Sequence, residues 1–421
     1  MSKSNIIGQA QAAKEASRMM MGLSSEKKNE ILEAIAKALE ENMDDIIFKN
    51  EIDVQAAKDA GLNEALIDRL TLTKERVKNI AKSVREIIAL KDPVGEILET
   101  INRPNGLVIK KLRVPLGVIG IIYESRPNVT VDTTVLCIKS GNAVILRGGS
   151  EALNSNHALA QIISKAGYEA GLPNGAIQFI DTTDREAIKE LLELNKYIDV
   201  IIPRGSHSMI DTIVSYSKIP VIQHGEGICH TYIDKQADID MAVSIAFNAK
   251  AQRPGVCNAM ESLLVHKDIA EKFLPLISKK LREAGVTLKA CEKAYKILMN
   301  QGIASEHAVP EDWDTEYLSL VLAIRVVDSM GDAIKHVQEH GSGHSEAIVT
   351  KDKNRAHIFL MNIDAAAVYW NASTRFTDGG EFGLGAEIGI STQKLHARGP
   401  MGIKELTSYK YIIFGNGQIR E

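Results

Sequence analysis

Cysteine is scarce in this chain of 421 residues, and no two of the four cysteines form a Cys-x-x-Cys pair. They are Cys137, Cys229, Cys257 and Cys291. Their wide spacing excludes a disulfide-rich scaffold and a zinc cluster, and the histidines have no metal-ligand spacing either. We therefore expect reduced thiols, a cytoplasmic location and no metal site.

The sequence also lacks long apolar runs and a strong charge of one sign. Charged residues make up 25%, hydrophobic residues 45%, and the net charge is −4. The apolar runs are far shorter than the roughly 20 residues of a membrane span, and the first residues lead into an amphipathic segment rather than a signal peptide. We expect no nucleic-acid or membrane partner. The length suits about two or three domains of an ordinary globular protein.

Helical spacing of apolar residues dominates the first ninety residues. Ser24 is the predicted N-cap of one helix, and a second helix is predicted over 72–90. A turn signal precedes a weakly alternating strand over 107–114, and a similar strand is predicted over 409–414. Two strands so far apart in sequence can pair into an arm outside the main domains. Because such arms often build oligomers, we expect a homo-oligomer.

From residue 117 onward, strands and helices alternate, which predicts an α/β fold with parallel sheets covered on both faces. The first set of strands is predicted over 117–123, 143–146, 176–180, 198–202 and 220–222. The second set is predicted over 262–266, 318–327 and 346–350. Ligands of such sheets bind at the carboxyl ends of the strands. Two successive α/β domains are therefore expected.

Cys257 lies in the stretch FNAKAQRPGVCNAMES, residues 247–262. It follows a Pro254-Gly255 turn and stands just before a predicted strand. A thiol on a rigid turn at the mouth of a strand suits a nucleophile. The alternative is a small buried apolar residue, which is the commoner fate of a cysteine outside disulfides. The surrounding motifs favour the nucleophile.

A nucleotide site is predicted at the carboxyl ends of the first set of strands, although the usual glycine fingerprint is missing. The first strand ends in YESRPN, residues 123–128, with no GxGxxG. The second strand ends in Arg147, where a basic side chain accommodates the 2′-phosphate of NADP, a surface arginine being the alternative. Gly205 and Ser206 open a later helix, whose N–H groups can receive a pyrophosphate.

Four long motifs occur along the chain. They are YESRPNVT (123–130), VIIPRG (200–205), RPGVCNAME (253–261) and EFGLGAEIGIS (381–391), the last continuing into HARGPMG (396–402). In sequence and order they resemble the aldehyde dehydrogenase superfamily and, within it, the family of γ-glutamyl phosphate reductases. The resemblance covers nearly the full chain. It implies a Rossmann-type cofactor domain, a second α/β catalytic domain and a small β oligomerisation arm.

The resemblance also implies domain boundaries. N-terminal helices over 1–100 belong to the cofactor domain, and the β arm combines 101–116 with 405–421. The Rossmann-like NADP-binding domain covers 117–235. The catalytic domain with Cys257 covers 236–380, and 381–404 returns to the cofactor domain.

The activity that the resemblance implies is NADPH-dependent reduction of L-glutamyl 5-phosphate to L-glutamate 5-semialdehyde, the second step of proline biosynthesis. Cys257 falls on the nucleophile that forms a thioester, and Asn128 on the asparagine whose N–H helps to hold the oxyanion. Glu316 falls roughly on the glutamate that contacts the nicotinamide ribose. Arg126 and Arg253 are candidates to bind the phosphate, with structural ion pairs as the alternative. The implied partners are this small-molecule substrate and, by functional coupling, the kinase that makes it.

One departure from the superfamily concerns water activation. Hydrolytic aldehyde dehydrogenases carry a glutamate that activates water, in a Glu-Leu-Gly-Gly stretch. The matching stretch here is QHGEGICH (223–230), which puts His224 at that position and Glu226 two residues away. An enzyme in which phosphate exchanges with the thioester does not need that base.

Three other functions remain as alternatives. The first is a hydrolytic aldehyde dehydrogenase acting on another small aldehyde, against which the displaced glutamate argues. The second is a binding protein without catalysis, which would need neither Cys257 nor Asn128. The third is a cysteine protease, for which no local Cys/His signature is present.

Overall fold

The computed structural model describes residues 3–184, 186–223 and 225–420. Its α-helices are α1 (Lys3–Met20), α2 (Ser25–Glu41), α3 (Met43–Asp59), α4 (Glu64–Leu70), α5 (Lys74–Ala89), α6 (Asn128–Lys139), α7 (Leu153–Glu169), α8 (Glu186–Leu192), α9 (His207–Tyr216), α10 (Ile239–Ala251), α11 (Lys267–Glu283), α12 (Glu292–Asn300), α13 (Met330–His340) and α14 (Lys353–Asn362). Its strands are β1 (Ile97–Asn102), β2 (Val108–Pro115), β3 (Val118–Tyr123), β4 (Ala143–Gly148), β5 (Ile177–Phe179), β6 (Val200–Arg204), β7 (Cys229–Ile233), β8 (Met260–His266), β9 (Thr287–Ala290), β10 (Glu306–His307), β11 (Val321–Val327), β12 (Ser345–Val349), β13 (Ala367–Trp370), β14 (Ile390–Ser391), β15 (Gly399–Pro400) and β16 (Thr407–Phe414).

The chain divides into two units. The first consists of Met1–Gln223, Gly383–Gly389 and Met401–Glu421, and the second of His224–Phe382 and Ile390–Pro400. Each unit has its own parallel sheet with helices between successive strands. The α/β class expected from the sequence is confirmed.

The N-terminal helices belong to the first unit and are amphipathic. The Oγ atom of Ser24 accepts a hydrogen bond from the backbone N–H of Lys27 at 3.2 Å, which confirms the predicted cap of α2. Helix α5 buries Val77, Ile80 and Val84 on one face, as its spacing predicted. Among the described residues, none of the helices has the length and apolarity that crossing a bilayer requires.

The parallel sheet of the first unit has the strand order β5-β4-β3-β6. Tyr123, the last residue of β3, lies opposite both Gly148 of β4 and Arg204 of β6, so the carboxyl ends of these three strands are level. The predicted strand over 220–222 is reduced to an isolated bridge between Val221 and Ile201. Pro220 has no N–H to extend the ladder, which explains this difference.

The β arm is a three-stranded antiparallel sheet in the order β1-β2-β16. Pairing of the two strands distant in sequence is confirmed, with Val108 opposite Phe414. The third strand, β1, begins at Ile97, so the predicted boundary at residue 100 cuts through it. Most residues of β1 are exposed on both faces, and such a strand carries no alternating apolar pattern to reveal it.

The second unit contains a seven-stranded parallel sheet in the order β10-β9-β11-β8-β7-β12-β13. Because β7 pairs with β8 and β12, the boundary between the units follows residue 223 instead of the predicted 235. Strand β11 begins at Val321 rather than at 318. Leu318 has a φ of 50°, a left-handed conformation that a regular strand does not accommodate.

The segment 390–400 also differs from the expected plan. It belongs to the second unit, whereas the whole of 381–404 was expected to return to the first. Its two ends pair as β14 and β15, and the Arg398 guanidinium forms an ion pair with Asp364 of the second unit at 2.7 Å. These contacts between distant parts of the chain are not visible in the local pattern.

Candidate active site

Cys257 lies between the end of α10 and the start of β8, on the amino edge of the second sheet. Strand β7 begins beside it, with Cys229 opposite Met260. The amino ends of parallel strands meet at one edge, so the segments that precede β7, β8 and β12 come together there. Cys257 is half-buried, and none of the cysteines in the described chain forms a disulfide. The sequence predicted ligands at the carboxyl ends of the strands, whereas Cys257 lies at the opposite, amino edge of its sheet.

Gly227 supports the nucleophile segment through direct backbone contact. A Cβ atom at residue 227 would lie 1.9 Å from the carbonyl oxygen of Cys257 and 2.6 Å from its Cα. Only glycine fits in this contact. The N–H of Gly227 donates to Oε1 of Glu316 at 2.8 Å. Glu316 therefore holds the residue on which Cys257 rests.

Cys229 is a second thiol beside Cys257, and it is buried whereas Cys257 is half-buried. Its Sγ donates to the carbonyl oxygen of Cys257 at 3.2 Å and lies 3.8 Å from Nδ1 of His344. Burial, together with the negative charges of Glu346 and Cys257, raises the pKa of Cys229 well above its ordinary value. Burial also lowers the pKa of His344 to about 4, so this imidazole is neutral at pH 7. Cys229 is therefore a neutral hydrogen-bond donor, not a competing thiolate.

A buried ion pair between Lys250 and Glu261 lies in the same unit. Burial lowers the pKa of Lys250 and raises the pKa of Glu261 to about 7, because both charged forms lose their hydration. Oε1 of Glu261 accepts the N–H of Leu318 at 3.2 Å. The negative charge of Glu316 acts to raise the pKa of both members of the pair. These contacts join the start of β8 to the segment that carries Glu316.

Asn128 is the first residue of α6 in the first unit. Its Nδ2 donates to Oδ2 of Asp132, one turn further along the helix, at 2.8 Å. Burial raises the pKa of Asp132 to about 6, although this hydrogen bond and the charge of Arg204 oppose the rise. An amide nitrogen carries two hydrogens, so Asp132 orients the group while a second donor remains. Sequence reasoning missed Asp132, although the i,i+4 spacing was visible.

The residues expected to bind the cofactor lie at the level carboxyl ends of β3, β4 and β6. Arg147 is the penultimate residue of β4 and is only 8% exposed, so it is not a surface arginine. Gly205 and Ser206 lie between β6 and α9. The N–H of Ser206 donates to Oε2 of Glu124 at 2.7 Å. The start of α9 thus already has a carboxylate on one of its N–H groups.

The other candidates are distributed between the two units. Arg126 is half-buried in the turn between β3 and α6, and Arg253 is exposed four residues before Cys257. Glu226 is half-buried, whereas His224 lies outside the described residues, so its predicted place remains a prediction. Within the described ranges, no three His, Cys, Asp or Glu side chains are arranged to hold a metal ion.

Each unit therefore collects its own set of predicted residues. At the carboxyl ends of three strands, the first unit has Asn128, Arg126, Arg147, Gly205 and Ser206. At the amino edge of its sheet, the second unit has Cys257, Arg253 and Glu316. Gly227 and Asp132 are additions that only the structure reveals.

The profile of the aldehyde dehydrogenase family matches residues 1–295. This chain therefore belongs to the aldehyde dehydrogenase family, whose fold implies a nicotinamide cofactor. Within that family it is similar to γ-glutamyl phosphate reductases. It is 58% identical over 411 residues to the one from Moorella thermoacetica, covering 98% of this chain and 97% of the relative.

Two further comparisons extend over the same length. The γ-glutamyl phosphate reductase of Halothermothrix orenii is 55% identical over 419 residues, covering 100% of this chain and 99% of the relative. The crystal structure of γ-glutamyl phosphate reductase from Thermotoga maritima has 46% sequence identity and a TM-score of 0.96. That match covers 99% of this chain and 100% of the solved one.

Replacing Gly227 with Ala should lower turnover about 100-fold, because a shift of about 1 Å at a reacting group costs that much. The added Cβ would meet the Cys257 carbonyl at 1.9 Å and displace the nucleophile segment. Turnover is measured from nicotinamide absorbance. The control is Gly331→Ala, whose Cβ would meet Oγ of Ser329 at an ordinary 3.5 Å. Turnover of Gly227→Ala within threefold of wild type would contradict the close contact.

Replacing Asp132 with Asn should stabilise the protein at pH 8 by about 1–3 kcal/mol. The folded-state pKa of about 6 lies above the ordinary 3.8, so the folded state binds the proton more tightly. The stability that this tighter proton binding contributes is fully present below about pH 3.8 and is lost as the pH rises through about 6. Asn is neutral throughout and keeps an acceptor for Asn128.

Urea unfolding of the Asp132→Asn variant at pH 4.5 and pH 8 measures this difference. The gain over wild type should fall to about a third at pH 4.5, where the folded wild-type carboxyl is protonated but the unfolded one, with its ordinary pKa of 3.8, is largely ionised. The exposed Asp45, changed to Asn, is the control and should show no such dependence. An equal gain at both pH values would show that Asp132 is not protonated in this range.

Proposed function

We propose that this chain catalyses the NADPH-dependent reduction of L-glutamyl 5-phosphate to L-glutamate 5-semialdehyde and phosphate, the second step of proline biosynthesis. The observation that carries the proposal is the full-length similarity to γ-glutamyl phosphate reductases. The placement of Cys257 on a supported segment agrees with it. A small-molecule substrate follows from this activity.

Cys257 is the proposed nucleophile. Its thiolate attacks the γ-carbonyl carbon, a C–S bond forms, and the C–O bond to the phosphate breaks. A nicotinamide cofactor held by the first unit's residues would supply the hydride that reduces the resulting thioester carbonyl. The tetrahedral hemithioacetal then breaks its C–S bond, which releases the semialdehyde and returns the thiolate. Cys229, protonated and buried, does not compete for the substrate.

Asn128 is proposed to stabilise the oxyanion that forms in each tetrahedral step. Its bond to Asp132 at 2.8 Å supports this role, because an oriented donor pays no reorganisation cost during the reaction. Loss of one such donor typically slows an enzyme by about 10²–10³.

Four residues are proposed to hold the cofactor. Arg147 would bind the 2′-phosphate, and Gly205 and Ser206 the pyrophosphate. The carboxylate of Glu124 on the Ser206 N–H supports the second assignment, because the same donor suits a phosphate oxygen. Glu316 would contact the nicotinamide ribose, in addition to its bond to Gly227.

The cellular setting forms part of the same proposal. We place the protein in the cytoplasm, which suits cysteines that form no disulfide in the described chain. The β arm would join copies into a homo-oligomer, and the exposed Tyr411 and Ile413 of β16 support that role. Functional coupling to the kinase that makes glutamyl phosphate would protect this reactive acyl phosphate from water.

The hydrolytic alternative is not favoured, and one experiment separates the two reactions. We expect NADPH formation from L-glutamate 5-semialdehyde and NADP to require phosphate, because Glu226 is two residues from the position of the water-activating glutamate. Arsenate should replace phosphate, since its acyl ester forms and then hydrolyses. Cys257→Ala should be inactive, and the control Cys291→Ala active. Equal turnover without phosphate or arsenate would show that water releases the product.

Replacing Arg147 with Ser should reduce kcat/KM for NADPH about tenfold or more, because a charge-assisted hydrogen bond to the 2′-phosphate is lost. The value for NADH should change less than threefold. Steady-state kinetics with both cofactors measure the ratio. Arg147→Lys should keep part of the preference, and the exposed Arg103 of the arm, changed to Ser, is the control. An unchanged ratio in Arg147→Ser would assign the 2′-phosphate to another residue.

A further inference from the structure

Arg375, which no sequence motif singled out, is attached to both ends of the segment that carries Cys257. It is half-buried in the short helical turn Thr374–Phe376. Its Nε donates to Oε1 of Gln252 at 2.9 Å, and its Nη1 donates to Oδ1 of Asn258. These two partners flank Arg253 and Cys257 in the sequence. The guanidinium therefore spans the nucleophile segment.

Asn258 makes this attachment rigid. Its Nδ2 donates to the carbonyl oxygen of Thr377 at 2.8 Å, and its own carbonyl oxygen accepts from Oγ1 of Thr374 at 2.8 Å. Asn258 is 5% exposed. The side chain and the backbone of Asn258 are thus bonded to Thr377 and Thr374, on either side of Arg375. Several hydrogen bonds therefore hold the Arg375 segment against the segment that carries Cys257.

Arg375 is influenced by charges of both signs but has no carboxylate bonded to its guanidinium among the described residues. Burial lowers the pKa of Arg375, and the positive charge of Arg253 lowers it further, while the negative charges of Asp378 and Cys257 oppose this. Neither arginine forms an ion pair with a carboxylate in the part of the chain that the structure describes. Oδ1 of Asp378 instead accepts the backbone N–H groups of Gly380 and Glu381.

The positive charges of Arg253 and Arg375 repel each other, and an anion that contacts both groups would relieve the repulsion. Nε and Nη1 of Arg375 are used in the hydrogen bonds to Gln252 and Asn258, and a guanidinium has five N–H donors, so others remain for an oxyanion. Planar guanidinium groups match the oxygens of phosphate in pairs. The position beside Cys257 is where an acyl phosphate would carry its phosphate group.

We propose that Arg375 and Arg253 form the binding site for the phosphate group of the acyl phosphate, and for inorganic phosphate in the reverse reaction. The inference rests on the proposed function. In the reverse direction, an oxygen of the bound phosphate attacks the thioester carbonyl carbon. A C–O bond forms, the C–S bond breaks, and the thiolate of Cys257 leaves.

Kinetics of the reverse reaction test the site, with phosphate varied at saturating semialdehyde and NADP. Arg375→Gln and Arg253→Gln should each raise KM for phosphate about tenfold or more, because charge-assisted hydrogen bonds are lost. KM for NADP should stay within twofold. Arg375→Lys should give an intermediate KM, because the charge remains. Arg282→Gln, at the end of α11, is the matched control and should behave as wild type.

A second measurement needs no turnover. Phosphate should slow the alkylation of Cys257 by iodoacetamide in wild type, and this protection should require about tenfold more phosphate in Arg375→Gln. If Arg375 only supported the segment, kcat and the unprotected alkylation rate would change while both phosphate constants stayed the same. That outcome would overturn the proposal.

The test also separates this inference from the proposed function. Wild type that turns over without phosphate contradicts the proposed reaction. Wild type that requires phosphate, with both glutamine variants keeping KM for phosphate within twofold, contradicts the arginine site alone. Arg253 is exposed, so its variant remains informative even if Arg375→Gln fails to fold.

Discussion

Backbone packing beneath Cys257 is the contact on which the arrangement of the second unit's site depends. The Cys257 carbonyl rests on Gly227, where any side chain would clash, and the Cys229 thiol donates to the same carbonyl oxygen. The backbone of Cys257 is therefore positioned by these contacts. Glu316 fixes Gly227 in turn, so a residue expected to contact a cofactor also supports the nucleophile.

A buried ion pair lies in the same unit as Gly227 and Glu316. The Lys250–Glu261 pair is costly to desolvate, and neither partner would remain charged there alone. Glu261 also binds the N–H of Leu318, which explains how a residue with left-handed backbone is held before β11. These contacts join the end of α10 and the start of β8 to the segment before β11.

Carboxylates play the corresponding role in the first unit. Glu124 accepts the N–H of Ser206, and Glu151 accepts both the N–H and the hydroxyl of Ser125, whose φ is 45°. The carboxyl groups of Glu151 and Glu124 thereby hold the turns after β3 and β6 through hydrogen bonds from backbone N–H groups.

Local patterns were sufficient for much of the molecule. Apolar runs predicted strands β3, β4, β6, β8 and β12, and the Ser24 cap and the pairing of the arm strands were also correct. The motif around Cys257 identified the candidate nucleophile, and four motifs in order along the chain indicated the family. The strands and the helix cap are each encoded within about ten neighbouring residues, because burial periodicity and turn chemistry act over that range.

Other features depend on which distant segments meet. Strand β7 joins the second sheet by pairing with β8 and with β12, with Met260 opposite Cys229 and Glu346 opposite His230, so no local signal marked the boundary after residue 223. The need for glycine at residue 227 and the attachment of Arg375 to the Cys257 segment likewise arise from long-range contacts. The sequence by itself determined many of the secondary elements, the family and the candidate nucleophile. Only the tertiary structure decided which residues support and surround that thiol, because these neighbours are brought together by sheet pairing and packing, which leave no periodic trace in a single sequence.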